Sequence, residues 1–357
     1  MDLHKLFTDV FHPEPDETVA VIADVPHGDL RDSETWRERR EMAAEWRAAW
    51  ISLGEQIGFD VLPLITFPAT GAHNGNLPLD KGDPIPLRDG LTRATIVNAL
   101  TQFSATAPLS MWARSHNDFR AASLPGVARR MEETALSADY TEVARRCQIL
   151  MDALSEAESA QVIFSTGHKW TVDLRYGEAH KDDGQLPREK ANSDFPIINL
   201  PSGESFQVPY EGERKGEPSR TEGEIPVSDN GDFIVFRVEN NRIVDVSGDT
   251  TQAASFKTYF EEDPIRGNIA ELALGCNPKA VVWGNVLEDE KAGFHWAYGR
   301  SEHLGGTIGP EQFKSPAHIV HQDIVYAKDS PIQVASLLLI SADGKTRQII
   351  RDGAYLI

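Results

Sequence analysis

The chain is poor in cysteine: Cys147 and Cys276 are its only two in 357 residues. That is too few for a disulfide framework or a four-thiolate zinc site, so each is expected to be a small buried residue in a protein of the reducing cytoplasm. Positive charge is also scarce, with 35 Lys and Arg against 55 Asp and Glu and a formal net charge of −20. A nucleic-acid binder needs clustered Lys and Arg to displace phosphate counterions, which excludes that class and leaves cationic or metal-bound partners. The opening MDLHKLFTDVF lacks an uninterrupted apolar run followed by a small-residue cleavage site, which argues against a signal peptide. No apolar stretch approaches the roughly 20 residues of a membrane helix, so no membrane partner is expected. No properly spaced glycine fingerprint follows the first apolar run, which disfavours a dinucleotide-binding Rossmann domain.

What is present divides the chain in two. Residues 18–23 (TVAVIA) and 60–65 (DVLPLI) read as strands. Between them, residues 34–56 place Ala43, Ala44, Trp46, Ala49, Trp50 and Leu53 at helical spacing. Strand, helix and strand suggest a βαβ unit and a parallel sheet. Residues 69–86, rich in Gly and Pro, read as a long loop. A helix is expected over 91–100, and residues 128–160 read as helical with a break at 138–139. From residue 161 onward short alternating runs such as KWTVDLR, DFIVFRV, FHWAYG and IVHQDIVY predict a β-rich region, with one helix over 251–260. The expected architecture is an α/β N-terminal domain with a parallel sheet over 1–190, then a β-rich α+β C-terminal domain over 191–357.

Metal-type chemistry concentrates in the second half. His321 and Asp323 lie two apart on a predicted strand, so both project from one face and can address one ion. An imidazole and a carboxylate so placed suit Zn, Mn, Co or Fe. Glu271 sits in the apolar run IAELALG, where a charged carboxylate is costly unless paired or metal-bound. Glu204 follows Pro-Ser-Gly at a turn, and His295 lies between Phe294 and Trp296. Singly, these read as a turn carboxylate and a satisfied core histidine; together in one domain they shift the balance toward a metal site.

The strings NLPSGE (199–204), AELALGCNP (270–278), LEDEKAGFHWAYGR (287–300) and VHQD (320–323) resemble, in order, the motif series of the aminopeptidase T family of metallopeptidases. The resemblance covers residues 120–325 well and the N-terminus more loosely. It implies a homodimeric enzyme whose β-rich C-terminal domain holds two divalent metal ions (Zn, Co or Mn). Matched motif by motif, Glu204, Glu271, His295, His321 and Asp323 would be the ligands, with Glu271 bridging. The substrate would be a small peptide or amine-bearing small molecule, cleaved at a peptide or amide bond by a metal-activated water.

Glu290, just before His295, is the leading candidate for general base and proton shuttle, with a salt bridge to Lys291 as its structural alternative; Asp289 is weaker. Where family aminopeptidases carry a tyrosine seven positions after the matched histidine, this chain has Glu302. Either Glu302 serves the site as an extra carboxylate or that position has left the metal shell. Two alternatives follow. One is ring-opening oxygenation of a hydroxylated pyridine by a single iron, as in relatives of the family. The other is a non-catalytic binding protein on the same fold.

Overall fold

The run TVAVIA folds into the strand Thr18–Val25, buried except at its ends, and becomes the hub of a parallel sheet. In this computed structural model, which describes residues 1–193 and 195–357, the sheet order is Asp60–Val61, Thr18–Val25, Ile96–Leu100, Arg120–Ser123, Ile197–Asn199, with Ile65–Pro68 also pairing Thr18–Val25. These strands belong to one of two compact units, comprising Met1–Ala144, Asp182–Gly203 and Asn277–Lys291. The other comprises Arg145–Lys181, Glu204–Cys276 and Ala292–Ile357. The chain therefore passes between units several times, and the boundary expected near residue 190 lies inside a segment of the first.

In the first unit the helix Glu34–Ile57 starts where Ser33 Oγ accepts the Trp36 N–H and ends at Gly58 in the left-handed conformation. Of its predicted stripe Ala43, Trp46, Trp50 and Leu53 are buried, whereas Ala49 is half-buried and Ala44 exposed; Trp46 and Trp50 pack against Phe7 of the helix Leu3–Phe11, with Phe7 stacked on Trp50 at 4.0 Å. Arg120 and Glu17, both fully buried, form a bidentate ion pair, and Arg120 also donates to the carbonyls of Leu186 and Phe11. The helix expected over 91–100 is corrected. Leu87–Arg93 is helical, and Ile96–Leu100 is a fully buried strand. A short apolar run flanked on both sides by parallel neighbours carries no alternation, so its period does not distinguish strand from helix. The 128–160 reading is likewise divided: two 3₁₀ turns precede the helix Tyr140–Ser155, and Ala157–Phe164 is a strand.

The second unit is built of two sheets. One has the order His321–Tyr326, Phe294–Gly299, Ile269–Gly275, Glu204–Gln207, Ala179–Asp182. The other runs Arg242–Ser247, Asp232–Glu239, Glu222–Asp229, Lys169–Asp173, Ala157–Phe164, Val334–Ser341, Thr346–Arg351, Ala354–Tyr355. Aromatic contacts join them: Trp296 meets Trp170 at 5.8 Å and Phe236 at 6.1 Å, and Tyr326 meets Phe164 at 5.1 Å. The two Trp296 contacts are edge-to-face, and pairs of this kind add about 0.5–1.5 kcal/mol each beyond the area they bury. The predicted helix is present as Thr251–Glu262, with Phe256 and Phe260 on Phe236. Among the described residues no helix is long and apolar enough to cross a membrane.

Candidate metal centre

Side chains alternate across a strand, so register decides which residues of the five-stranded sheet share a face. Glu204 pairs with Gly275 and Phe206 with Ala273; Ala273 pairs with His295, and Glu271 with Ala297. Ala297 in turn pairs with Asp323, and Gly299 with His321. Glu204, Glu271, His295, His321 and Asp323 therefore project from one face. Between them lie Ala273, Gly275, Ala297 and Gly299, whose side chains are small or absent, so the longer acids and imidazoles can converge. At Gly299 (φ 109°) an added Cβ would stand 2.2 Å from the Val320 carbonyl oxygen, so glycine is required where the last strand leaves for His321. The opposite face, with Leu272, Leu274, Phe294 and Trp296, is the aromatic core.

Two groups of donor atoms result, Glu204 with Glu271 and His295, and Glu271 with His321 and Asp323; within each the atoms lie within 4.8 Å of one another. Glu271 belongs to both. His295 Nε2 is 3.3 Å from Glu204 Oε2 and 4.0 Å from Glu271 Oε1. His321 Nε2 is 3.2 Å from Glu271 Oε2 and 3.6 Å from Asp323 Oδ1. The first three residues are buried and the last two half-buried.

Each imidazole is anchored from behind. Nδ1 of His295 faces the Gly293 carbonyl at 3.3 Å and Nδ1 of His321 the Arg300 carbonyl at 2.7 Å. A carbonyl only accepts, so Nδ1 carries the proton and Nε2 turns toward the carboxylates, the tautomer and orientation of metal-bound histidine. Nε2 and a carboxylate oxygen at 3.2–3.3 Å need a positive charge between them. Without a metal a proton supplies it. Burial opposes the charged ring at His295, yet the hydrogen bond to Glu204 and the charges of Glu204, Glu271 and Asp323 outweigh it and push the pKa up to about 9. At His321 the same balance, now with Asp323 and Glu271, raises the pKa well above its ordinary value. Three carboxylates and two imidazoles with a shared central acid fit divalent cations of the Zn, Mn, Co or Fe type.

The profile of the thermophilic metalloprotease (M29) family matches residues 123–355, a span that contains every one of these side chains. The chain belongs to the M29 metallopeptidase family. Two solved structures share its fold over nearly the full length. AmpT from Thermus thermophilus has a TM-score of 0.60 at 16% identity, covering 99% of this chain and 98% of its own. The 2,5-dihydroxypyridine dioxygenase from Pseudomonas putida KT2440 has a TM-score of 0.62 at 17% identity, covering 99% and 96%. No curated protein sequence matches.

Within this M29 protein the two acids expected to act on protons are placed differently from the ligand-type residues. Glu290 belongs to the first unit, where it follows the short helix Val286–Asp289 and holds Lys291 Nζ at 2.7 Å, the salt-bridge alternative. Asp289 accepts backbone N–H groups from Trp283 and Gly284 and so shapes its own loop. Glu302 is in neither donor group among the described residues. Its carboxylate takes Nε of Arg300 at 2.5 Å and a second guanidinium nitrogen, and that pairing, against the cost of burial, holds its pKa below the usual carboxylate value. An arginine two residues earlier thus holds the acid. Its neighbour His303 meets the His321 ring edge-on at 4.8 Å. Only a fold that turns the chain back at Gly305 (φ 98°) brings those rings together, so spacing alone gave no signal for it.

Proposed function

We propose that this protein is a metal-dependent hydrolase that cleaves a peptide or amide bond next to a free amine, the aminopeptidase-type reaction. The observation that carries the reading is the pair of donor groups joined at Glu271 on one sheet face. Glu204, Glu271 and His295 would hold one divalent ion, and Glu271, His321 and Asp323 a second. Such ions would polarise a scissile carbonyl and make a neighbouring water acidic enough to attack it at neutral pH. The protein residues do the rest. Glu271 fixes the distance between the two donor groups, the carbonyls of Gly293 and Arg300 fix the imidazole tautomers, and the buried setting of Glu204 and Glu271 strengthens every charge interaction there. The half-buried side at His321 and Asp323 is where a substrate would approach.

The test is to strip the purified protein of metal and resupply Mn²⁺, Co²⁺ or Zn²⁺. Bound equivalents are then counted, and a panel of aminoacyl-amides and dipeptides is assayed. Two equivalents and release of a free amine are expected. One equivalent of iron with oxygen uptake on a dihydroxypyridine would reverse the reading, and no bound metal would favour a binding protein. Retention of both Glu204 and Glu271 supports the hydrolase over a single-iron oxygenase, which has no need of two further carboxylates. The homodimer and the cytoplasmic location belong to the same proposal, and sedimentation checks the first.

A further inference from the structure

We infer that Cys147 and Cys276 form a reversible disulfide whose closure is felt at Glu204. They are the only cysteines in the chain and stand 129 residues apart, yet both are buried in the second unit with Sγ atoms 3.5 Å apart. A disulfide holds its sulfurs at about 2.05 Å, so closure requires an approach of about 1.5 Å. That approach draws the helix Tyr140–Ser155, which carries Cys147, toward the end of the strand Ile269–Gly275, after which Cys276 follows.

The strand bearing Glu204 is tied to both ends of this movement. Glu204 is the register partner of Gly275, the residue before Cys276. Ser205 Oγ, one residue further, donates to the Cys147 carbonyl at 2.7 Å. Sulfur pair, serine and glutamate thus form one connected patch of the fold.

The chemistry balances with a small dialkyl disulfide as oxidant. One cysteine thiolate attacks its S–S bond, forming a mixed disulfide and expelling one thiolate; the second cysteine displaces the other half, so two protein thiols are oxidised and one external disulfide is reduced to two thiols. Cys276 is 4% exposed and Cys147 fully buried, so Cys276 attacks first and Cys147 resolves.

The experiment equilibrates the full-length protein with hydroxyethyl disulfide and its thiol, then reads thiol count, intact mass and a peptide map, and titrates Zn²⁺ into oxidised and reduced forms. The expected result is loss of both thiols and two hydrogens, a linked Cys147–Cys276 peptide, reversal by a dithiol, and at least a ~10-fold change in Zn²⁺ affinity on oxidation. Cys147→Ser should stop at a mixed disulfide on Cys276, whereas Cys276→Ser should react more slowly, and neither variant should change its affinity with redox state. Thiols that persist, or an adduct at each cysteine without a link, overturn the disulfide. A link with unchanged Zn²⁺ affinity overturns the coupling to Glu204. The coupling rests on the metal reading above, but the crosslink is read without metal, so the two failures are separable.

Discussion

Glu271→Gln removes the charge common to both donor groups while keeping the side chain's shape. Unit charges about 4 Å apart at an effective dielectric constant near 20 attract by about 4 kcal/mol. Glu271 Oε1 stands 4.0 Å from His295 Nε2 and Oε2 closer still to His321 Nε2, so that figure applies to a proton on either ring. A divalent ion at similar range loses about twice as much, or about 8 kcal/mol, so the net loss of metal relative to proton is about 4 kcal/mol, roughly 10³-fold in affinity. The pH dependence separates this from generic damage. His295, at about 9, and His321, raised well above its ordinary value, are protonated at pH 7 in the metal-free protein, and each must give up a proton to an incoming ion. Apparent affinity should therefore rise with pH below pH 9, with a slope of about one in log units for each ion and about two for uptake of both. In Glu271→Gln, which loses a cause of both shifts, the slope should flatten while affinity falls. The assay is calorimetric titration with Zn²⁺ or Mn²⁺ at several pH values, in buffers of different ionisation heat. Unchanged affinity, or a lower affinity with the wild-type slope, would refute the reasoning.

Removal of metal should make stability fall with rising pH: the raised imidazole pKa values stabilise the metal-free fold fully below about 6.5, and this is lost toward pH 9, which melting of chelator-treated protein at stepped pH will check. Glu17→Ala strands the fully buried Arg120 charge and should cost about 3–5 kcal/mol in denaturant unfolding. Glu302→Gln should leave the number of bound metal equivalents unchanged, because that carboxylate is turned to Arg300. Ala297→Val suits a strand yet puts branched methyls between the register partners Glu271 and Asp323, so metal at that group should be lost with little change in melting of the metal-free protein.

The candidate site was legible because its chemistry is local in each strand. His321 and Asp323 read as one face from spacing alone, and the strand His321–Tyr326 places them so. Glu271 stood out because a carboxylate in IAELALG needs a positive partner, and two imidazoles supply that need when protonated or turned to a cation. Tyr298, three residues after His295 and so on the opposite face of the strand, packs on Phe260. What was not legible depends on contacts between distant segments. Ile96–Leu100 became a strand only because Thr18–Val25 and Arg120–Ser123 flank it. Cys147 and Cys276 read as separate buried residues, which they are, and nothing in their spacing discloses that they meet.

The same division explains why the centre survives on so negative a chain. Carboxylates crowded on one face repel, and the fold offsets this in two ways that cost it no extra charge. It interleaves imidazoles that take up protons when no cation is present, as their raised pKa values record. It also backs the acids with an apolar sheet face, where Trp296 and Phe294 fix the strands regardless of what the front face binds. Front-face substitutions should therefore change metal affinity far more than folding, and back-face substitutions should change both. A sheet can separate those two properties because its alternation assigns neighbouring residues to opposite surfaces.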